Sequence, residues 1–232
     1  MILLAFETSG PTASVALMKD GALLAEHAVH HTRTHSETVL PMAEALMAQM
    51  EIAPSMLHAI AVNLGPGSFT GVRIGICTAN AMASALQIPI YGVDSLRALY
   101  QNVSFHQGRI CPLIDARNES VYAAQYENGE QLQELYAGPV EEYLKNMPDH
   151  TLFLGDGTHA YGAYIKNSVK QPMIAGHAFS LSRASALCDV AKDRIEKGDP
   201  GLSFVEPLYL RPSQAERMWA QKHGEEGEAH ES

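Results

Sequence analysis

A repeated order of predicted elements is the feature of this sequence that most restricts its fold. Apolar and alternating runs predict strands at 1–7, 12–18 and 22–29, and Asp20-Gly21 supplies a tight turn before the third. A helix, a strand, a second helix and a further strand follow between residues 34 and 93. The succession of three strands, helix, strand and helix then returns between residues 109 and 197. We therefore predict an α/β protein of two duplicated lobes, each with a mixed sheet flanked by helices, and a ligand cleft between the lobes.

The two copies set the expected domain organisation. A chain of 232 residues has room for one large domain or two small ones. We predict a first lobe over residues 1–104, a second lobe over 105–216 and a flexible acidic tail over 217–232, where hydrophobic periodicity ends. The predicted helices cover residues 34–50, 71–86, 140–146, 158–167 and 181–197.

Composition narrows the classes of function. The net charge of −10 repels phosphate groups, so we do not expect the chain to bind nucleic acid alone. No signal peptide or membrane-spanning run is present in the sequence, so we expect a cytoplasmic protein. The three cysteines lack metal-type spacing and are expected to be reduced thiols, namely Cys77, Cys111 and Cys188.

A glycine-rich segment, residues 65–75, joins a predicted strand to a predicted helix. Ser68 or Thr70 can cap this helix and leave backbone N–H groups for an anion. Residues 7–9 close the first strand, where a carboxylate could hold a hydrated Mg²⁺ near a phosphate. A structural turn is the alternative for both features, because the glycine spacing matches neither known phosphate-loop pattern. The candidate nucleotide- or anion-binding residues are Glu7, Thr8, Ser9, Gly67, Ser68 and Thr70.

The second helix of the first lobe lacks charge in an unusual way. No side chain between residues 74 and 93 is charged, and small residues keep the helix thin. Such a helix cannot face water on its outer side, so either the second lobe or a protein partner must cover it. A charge placed at Ala79 or Ala83 is expected to weaken a complex while the monomer stays folded. The predicted partner interface consists of Leu40, Ala43, Leu46, Met47, Val72, Arg73, Ile76, Ala79 and Ala83.

Few residues form a catalytic pattern. His31 and His35 have i,i+4 spacing, but the acid of a zinc-binding helix and a third ligand are missing. Ser68 lacks the flanking pattern of a hydrolase nucleophile. Residues 115–119 are expected to form a salt-bridged hairpin tip, and residues 155–158 are a weaker candidate phosphate turn. We predict no catalytic residue and no metal ligand.

Short segments spread over nearly the whole chain carry a family resemblance: Glu7-Thr8-Ser9, His35-Ser36-Glu37, Leu40-Pro41, Gly65 to Gly75, Gly92-Val93, Ser95-Leu96, Ile114-Asp115-Ala116-Arg117, Val121-Tyr122 and Pro207-Leu208-Tyr209-Leu210-Arg211. Together they resemble the bacterial TsaB family, formerly YeaZ, of tRNA threonylcarbamoyladenosine (t6A) biosynthesis proteins. The segment 65–75 is highly specific for that family. The resemblance implies the actin-like, Hsp70-like ATPase fold of two ribonuclease-H-like lobes, in agreement with the duplicated element order.

The resemblance also implies a role and partners. TsaB is the non-catalytic partner of the related enzyme TsaD, and with the ATPase TsaE they place a threonylcarbamoyl group on the adenosine beside the anticodon. We therefore expect a scaffold subunit that binds a TsaD-like paralogue and a TsaE-like ATPase, forms a homodimer when alone and meets tRNA only through the complex. The catalytic relative's metal-binding histidine pair is not found here, where the helix has Val72, Arg73, Ile76 and Cys77 instead.

Other expectations concern cofactors and alternative functions. We expect no tightly bound cofactor, and leave open ATP or ADP with Mg²⁺ at the interface of the complex. Glu7 stands where this fold commonly has Asp, and its extra methylene would displace a hydrated magnesium ion. The alternative functions are a metal-dependent, glycopeptidase-like protease of the same fold and a self-sufficient ATPase or sugar kinase. The first requires a bound metal, and the second requires tight ATP binding that is lost on changing Glu7 or Gly67.

Overall fold

A computed structural model describes residues 1–30 and 35–211 of the chain. His31, the predicted helix-capping residue Thr34 and the predicted tail at 217–232 lie outside the described residues. Within the described part, no helix has the length and the apolar character needed to cross a membrane.

Two β-sheets form the centre of the molecule. The strands are β1 (Ile2–Glu7), β2 (Thr12–Lys19), β3 (Ala22–His30), β4 (Ala59–Asn63), β5 (Ile90–Val93), β6 (Ile110–Asp115), β7 (Ser120–Ala123), β8 (Tyr126–Glu127), β9 (Glu130–Gln131), β10 (Tyr136–Pro139), β11 (Leu152–Leu154) and β12 (Met173–Ile174). The first sheet has the order β3-β2-β1-β4-β5, and the second has the order β10-β7-β6-β11-β12 with β8 and β9 attached at β6. In the first sheet β2 and β3 are antiparallel, whereas β4 and β5 run parallel to β1. Both sheets are therefore mixed, as predicted.

Seven α-helices within the described residues flank these sheets. They are α1 (His35–Gln49), α2 (Phe69–Leu86), α3 (Ser95–Gln101), α4 (Val140–Leu144), α5 (Gly157–Ala160), α6 (Gly162–Ser168) and α7 (Ala184–Glu196). In the first lobe, α1 and α2 pack on one face of the sheet and α7 packs on the other. In the second lobe, the sheet lies between a cluster that contains α4 and α6 and a cluster that contains α3.

The buried strands explain why the first sheet has helices on both faces. Leu4 and Phe6 belong to the core formed with α1 and α2, while Leu3 and Ala5 belong to the core formed with α7. Successive side chains of a strand point to opposite faces, so an uninterrupted apolar run requires cover on both sides. The all-apolar start of the chain thus specifies a central strand.

Several elements differ from the sequence-based predictions. Helix α3, capped by the side chain of Asp94, was not predicted. The second predicted strand of the second lobe, which the alternating pattern places at residues 120–126, is interrupted between β7 and β8. The helix predicted at 158–167 is divided into α5 and α6. Helix α7 begins at Ala184, not at residue 181, because residues 181 and 182 line a cavity between the two lobes.

The position of α7 also differs from the predicted partition of the chain. The predicted boundary assigned all of 105–216 to the second lobe, but α7 packs on β1, β2 and β4 of the first sheet. The following segment also returns to this sheet, where Leu202 and Ile90 exchange backbone hydrogen bonds of 2.8 and 3.0 Å. The first lobe is therefore completed by the end of the chain.

A remote carboxylate caps the N-terminus of α7. Glu26 on β3 accepts hydrogen bonds from the backbone N–H and the hydroxyl of Ser185, both at 3.0 Å, and pairs with Arg183 at 3.2 Å. The adjacent N–H group of Ala184 donates to the hydroxyl of Ser14 at 2.9 Å. The first N–H groups of a helix have no intrahelical acceptors, so side chains of the sheet supply them here.

We expect Glu26→Ala to lower the free energy of unfolding by about 1–3 kcal/mol, because it leaves a partly buried N–H group and a guanidinium without their acceptor. Urea denaturation monitored by circular dichroism measures this loss. Glu130→Ala, at an exposed position on β9, is the matched control and should change stability by less than about 0.5 kcal/mol. An equal loss in both variants would contradict the capping role.

Candidate functional site

A cavity of about 840 Å³ lies between the two lobes. The first lobe contributes the end of β1 and the turn that leads into α2, and the second lobe contributes the loop after β6 and the start of α5. The candidate residues Glu7, Ser9, Gly67, Ser68 and Thr70 all line it, together with residues that the sequence analysis assigned to other features. The predicted cleft between duplicated lobes is therefore present, and the candidate anion-binding residues lie on one of its walls.

Glu7 occupies the base of this wall with a fully buried carboxylate. One of its oxygens, Oε1, accepts hydrogen bonds from the N–H and the hydroxyl of Ser9, both at 2.6 Å. The other oxygen, Oε2, accepts from the side-chain amide of Asn63 and from the hydroxyl of Ser182, the latter at 2.5 Å. Four donors saturate the acceptor capacity of a carboxylate, so the charge is compensated within the chain.

Asn63 extends this arrangement into the glycine-rich turn. It is fully buried at the end of β4, and its carbonyl oxygen accepts from the N–H of Gly65 at 2.7 Å and from the hydroxyl of Ser95 at 2.8 Å. The Glu7 carboxylate and the Asn63 amide thus connect β1, β4, the turn and the start of α3. We call Glu7, Ser9, Asn63, Ser95 and Ser182 the Glu7 network.

The glycine pattern of the turn has a packing explanation. A Cβ atom at Gly67 would collide with the carbonyl oxygen of Ser9, and one at Gly71 or Gly75 would collide with Thr8. The hydroxyl of Thr8 donates to the carbonyl of Gly71 at 2.7 Å, so α2 sits directly on the end of β1. These three glycines therefore allow a close approach between a helix and a strand.

Ser68 is the N-cap of α2, as its sequence position suggested. Its side chain accepts from the N–H of Gly71 at 3.2 Å, and its own N–H donates to the carbonyl of Ser9 at 2.7 Å. Ser68 and Thr70 are exposed on the cleft wall, whereas Thr8 is buried between β1 and α2. The structural and the anion-binding explanations of this turn are thus compatible, because the capped helix start still faces the cavity.

The opposite wall carries two carboxylates from the second lobe. Asp115 accepts from the hydroxyl of Tyr161 and from the N–H of Arg117, both at 2.8 Å, and pairs with the Arg117 guanidinium at 3.1 Å. Because the Arg117 side chain is 85% exposed, this ion pair adds little stability, as predicted for the hairpin tip. The side chain of Glu119 instead accepts from Tyr164 at 3.2 Å.

Asp156 stands beside Asp115 at the start of α5. Its carboxylate accepts from the N–H of Asp115 at 2.9 Å, and burial raises its pKa above the ordinary value. Gly155 and Gly157 lie against the backbone of Leu113, so the candidate phosphate turn at 155–158 is tightly packed on β6. Gly155 and Gly157 are therefore needed for the close approach of this turn to β6, just as Gly67, Gly71 and Gly75 are needed for the close approach of α2 to the end of β1.

The Glu7 carboxylate does not fit a magnesium ion. Such an ion needs carboxylate oxygens whose lone pairs are available to it or to its water ligands. Glu7 has none to spare, because each of its oxygens accepts two hydrogen bonds within the chain. Glu7 stands where this fold commonly has Asp, and the structure explains the longer side chain. It reaches hydrogen-bond donors of its own lobe and of the segment before α7.

Within residues 1–30 and 35–211, no group of three His, Cys, Asp or Glu side chains is placed to hold a metal ion. His35 lines the cleft with its Nε2 atom 2.9 Å from the carbonyl of Gly10, while its predicted companion His31 lies outside the described residues. His35 thus connects α1 to the turn after β1.

The predicted partner interface requires a correction. Seven of its nine residues are at most 5% exposed and form the core between the first sheet and its helices, namely Ala43, Leu46, Met47, Val72, Ile76, Ala79 and Ala83. Periodicity identified the apolar stripe of each helix correctly, but this stripe faces the chain's own sheet. A charge at Ala79 or Ala83 would therefore unfold the lobe, contrary to our expectation. Only Leu40 and Arg73 of the predicted set are exposed.

The opposite side of α2 is the surface that the sequence analysis missed. Cys77, Ala81, Ser84 and Ala85 are exposed there, and Ile74, Thr78 and Met82 are half-buried beside them. We call these seven residues the outer face of α2. The sequence did contain the signal for this surface. A helix without charged residues has an uncharged outer side, whichever of its stripes is buried.

The last described segment, residues 202–211, runs along one flank of α2. Asn80 exchanges hydrogen bonds of 2.9 and 3.0 Å with the backbone of Val205. Nearer the cleft, the Arg73 guanidinium lies 3.9 Å from the ring centre of Phe69 and donates to the hydroxyl of Tyr209 at 2.7 Å. Arg73 is thus held by aromatic groups of its own chain, and this segment leaves the outer face of α2 uncovered.

We expect Glu7→Gln to lower the free energy of unfolding by about 2–3 kcal/mol, because an amide nitrogen would then face donors that need an acceptor. Guanidinium denaturation of the purified variant tests this. The same change at exposed Glu134 is the control and should have little effect. A stability equal to that of the wild type would show that the Glu7 network does not hold the first lobe together.

Asp156→Asn should change the pH dependence of stability. Because burial raises the folded-state pKa of Asp156 above its value of 3.8 in the unfolded chain, its ionisation weakens the fold as pH rises through this interval. The amide keeps the acceptor for the Asp115 N–H group and cannot ionise. The variant should therefore gain stability relative to the wild type as the pH rises from about 4 through the raised folded-state pKa. A relative loss over the same interval, measured by urea denaturation, would contradict this.

Comparison with known proteins identifies the family. A sequence model described as "TsaD: tRNA N6-adenosine threonylcarbamoyltransferase" matches residues 24–219. The tRNA threonylcarbamoyladenosine biosynthesis protein TsaB of Bacillus subtilis is 35% identical over 227 residues, covering 94% of this chain and 98% of that protein. The protein of the same name from Escherichia coli is 30% identical over 237 residues, covering 97% of this chain and 100% of that protein.

Solved structures agree with these sequence relatives. The structure described as YeaZ from Pseudomonas aeruginosa superposes with a TM-score of 0.78 at 30% identity, covering 90% of this chain and 99% of that chain. A second Pseudomonas aeruginosa structure, described as an uncharacterized protein with similarity to peptidase YEAZ, gives the same TM-score at 31% identity, covering 90% of this chain and 99% of that chain. The predicted fold class, two helix-flanked mixed sheets of the actin-like type, is confirmed. The chain therefore belongs to the TsaB, or YeaZ, family.

Proposed function

We propose that this chain is a non-catalytic scaffold subunit for t6A formation in tRNA, and that it acts by binding a catalytic paralogue of the TsaD type. Its family membership supports a role in t6A biosynthesis, since its relatives carry that role in their names. The observation that carries the scaffold role is the outer face of α2. None of its seven residues is charged, four of them are exposed, and half-buried Ile74 and Met82 lie at its border with the core.

The chemistry of this face suits close docking of another helix. Its exposed members are small, and none of its seven residues carries a charge. Small side chains let two helices approach closely, so that half-buried Ile74 and Met82 can be covered by a partner. An exposed helix face normally carries charged residues, and their absence is typical of a surface that is buried in an assembly.

Helix α1 continues this surface. It packs beside α2, and its exposed side combines the apolar residues Leu40, Ala45 and Ala48 with the carboxylates Glu37 and Glu44. Burial of apolar area at roughly 25 cal/mol per Å² favours association, although affinity also depends on the quality of the fit. The same surface would serve for pairing with a second copy when the paralogue is absent.

The non-catalytic part of the proposal is supported by the Glu7 network. Chemistry on a bound nucleotide would require acceptor groups at the base of the cleft that can hold a hydrated metal ion. Glu7 is instead committed to four donors of the chain. We therefore propose that the chain alone binds no nucleotide tightly and hydrolyses none.

The remaining partners follow from family and charge. A chain with a net charge of −10 cannot hold tRNA by itself, so a more basic subunit must supply most of the affinity. We propose that the TsaD-like paralogue does this in the cytoplasm, and that a TsaE-like ATPase joins the same complex. A mixing experiment with each component omitted in turn tests this assignment. Equal modification of tRNA without the present chain would contradict it.

Ala81→Glu is the sharpest test of the docking face. The residue is exposed, so the monomer should keep its unfolding curve, while a carboxylate buried in an apolar contact should weaken binding of the TsaD-like partner at least about tenfold. Titration of the labelled partner measures the dissociation constant.

Ala163→Glu, at an exposed position on α6, is the matched control and should leave partner binding unchanged. Sedimentation of the free chain reports whether the same substitution also abolishes a homodimer. Wild-type affinity in the Ala81 variant would exclude the outer face of α2 as the contact.

A further inference from the structure

The second lobe carries unneutralised positive charge in an otherwise acidic protein. Every arginine in residues 1–30 and 35–211 has an ion-pair, hydrogen-bond or aromatic partner, and Lys192 pairs with Glu196 at 3.3 Å. Five lysines of the same ranges have no ion pair or hydrogen bond through their ammonium groups, namely Lys19, Lys145, Lys166, Lys170 and Lys197. Three of these five lie between residues 145 and 170.

Two of these lysines line one concave surface. Lys166 and Lys170 border a depression of about 660 Å³ at the end of α6, together with His150 and polar groups of residues 167–171. Both lysines and His150 are exposed. The depression is thus an open, polar groove with cationic sides, and we call it the Lys166–Lys170 groove.

The single carboxylate in this groove does not neutralise the lysines. Asp149 accepts a hydrogen bond from the backbone N–H of Lys170 at 3.3 Å, and the N–H of His150 donates to the carbonyl of Lys170 at 3.2 Å. These contacts hold the two loops of the groove together through the backbone. Both ammonium groups border the same depression without a counter-ion from the chain, so they are available to an anion.

The location of the groove keeps it accessible in a complex. It lies at the start of β11, whereas Gly155 and Asp156 follow the end of that strand at the cleft. It is therefore on the opposite edge of the second sheet from the cleft. The proposed docking face is on the first lobe, so a partner bound to α1 and α2 contacts different elements.

We propose that the Lys166–Lys170 groove contacts the phosphate backbone of RNA, and that tRNA held by the complex is this RNA. This inference rests on the proposed function, because the chain is too acidic to retain tRNA without a partner. Lysines bind phosphate as flexible point charges without reading bases, which suits the positioning of a folded RNA. Each phosphate contact releases counter-ions, so it contributes both affinity and salt dependence.

The test is a double charge reversal, K166E together with K170E, in the complete complex of this chain with its TsaD-like and TsaE-like partners. Fluorescence anisotropy gives the dissociation constant of labelled tRNA at several salt concentrations. We expect binding to weaken about tenfold at low salt, and the slope of log K against log salt to become shallower by about 1.4–1.8, the value for two lost phosphate contacts.

The variant K19E with K197E is the matched control, because it makes the same change in net charge at two exposed lysines away from the groove. It should keep both the affinity and the salt slope of the wild type within about twofold. Equal effects in the two double variants would mean that only net charge matters and would overturn the proposal. An unchanged affinity and slope in the groove variant would overturn it as well.

Partner binding separates this proposal from the proposed function. The groove variant should bind the TsaD-like partner with wild-type affinity, since its lysines are not on α1 or α2. If the wild-type chain itself fails to bind that partner, the scaffold function is wrong. The groove proposal then falls with it, whereas normal partner binding together with an unchanged tRNA affinity and salt slope in the groove variant overturns the groove proposal alone.

Discussion

The close approach of α2 to the end of β1 is the constraint on which the rest of the structure depends. It requires glycine at the three positions where the helix meets Thr8 and Ser9, and it brings the end of β1 to the base of the cleft. The Glu7 carboxylate then collects donors from β1, β4 and the segment before α7. A buried charge with a complete set of donors is stabilising, whereas the loss of any one partner is costly. The geometry of the cleft and the orientation of α2 thus have a common origin.

Because of this close approach, the two sides of α2 have different roles. The side with the glycines and the branched apolar residues is fixed against the sheet, so it cannot change without loss of the first lobe. The four exposed residues of the outer face are uncharged. In the cleft, the Glu7 carboxylate is committed to hydrogen bonds within the chain. Both observations support the scaffold role that we propose.

The sequence predicted the architecture well because apolar periodicity and turn residues are local signals. The three antiparallel strands at the start, α1, α2 and the lobe duplication all follow from them, and Ser68 was correctly identified as a capping candidate.

What the apolar stripe of a helix packs against cannot be predicted from such local signals. Ala79 and Ala83 are as apolar as any contact residue, and only the presence of the sheet beneath them shows that they belong to the core. Likewise, α7 was assigned to the second lobe although it packs on the first sheet, because local sequence patterns do not encode where the chain crosses between lobes. The donors to Glu7 come from positions 9, 63 and 182, and no spacing rule connects these.

The placement of α7 on the first sheet has a consequence for how the protein is made. A ribosome releases β1 to β5 first, but α7, which covers their second face, is complete only roughly 100 residues later. At about 5–20 residues per second, the delay amounts to roughly 5–20 s. During that interval Leu3, Ala5 and their neighbours present a bare apolar surface, which is the kind of surface that nascent-chain chaperones recognise. The first lobe therefore cannot close its second core before α7 is translated, and a truncated product that ends before α7 would keep this apolar surface exposed.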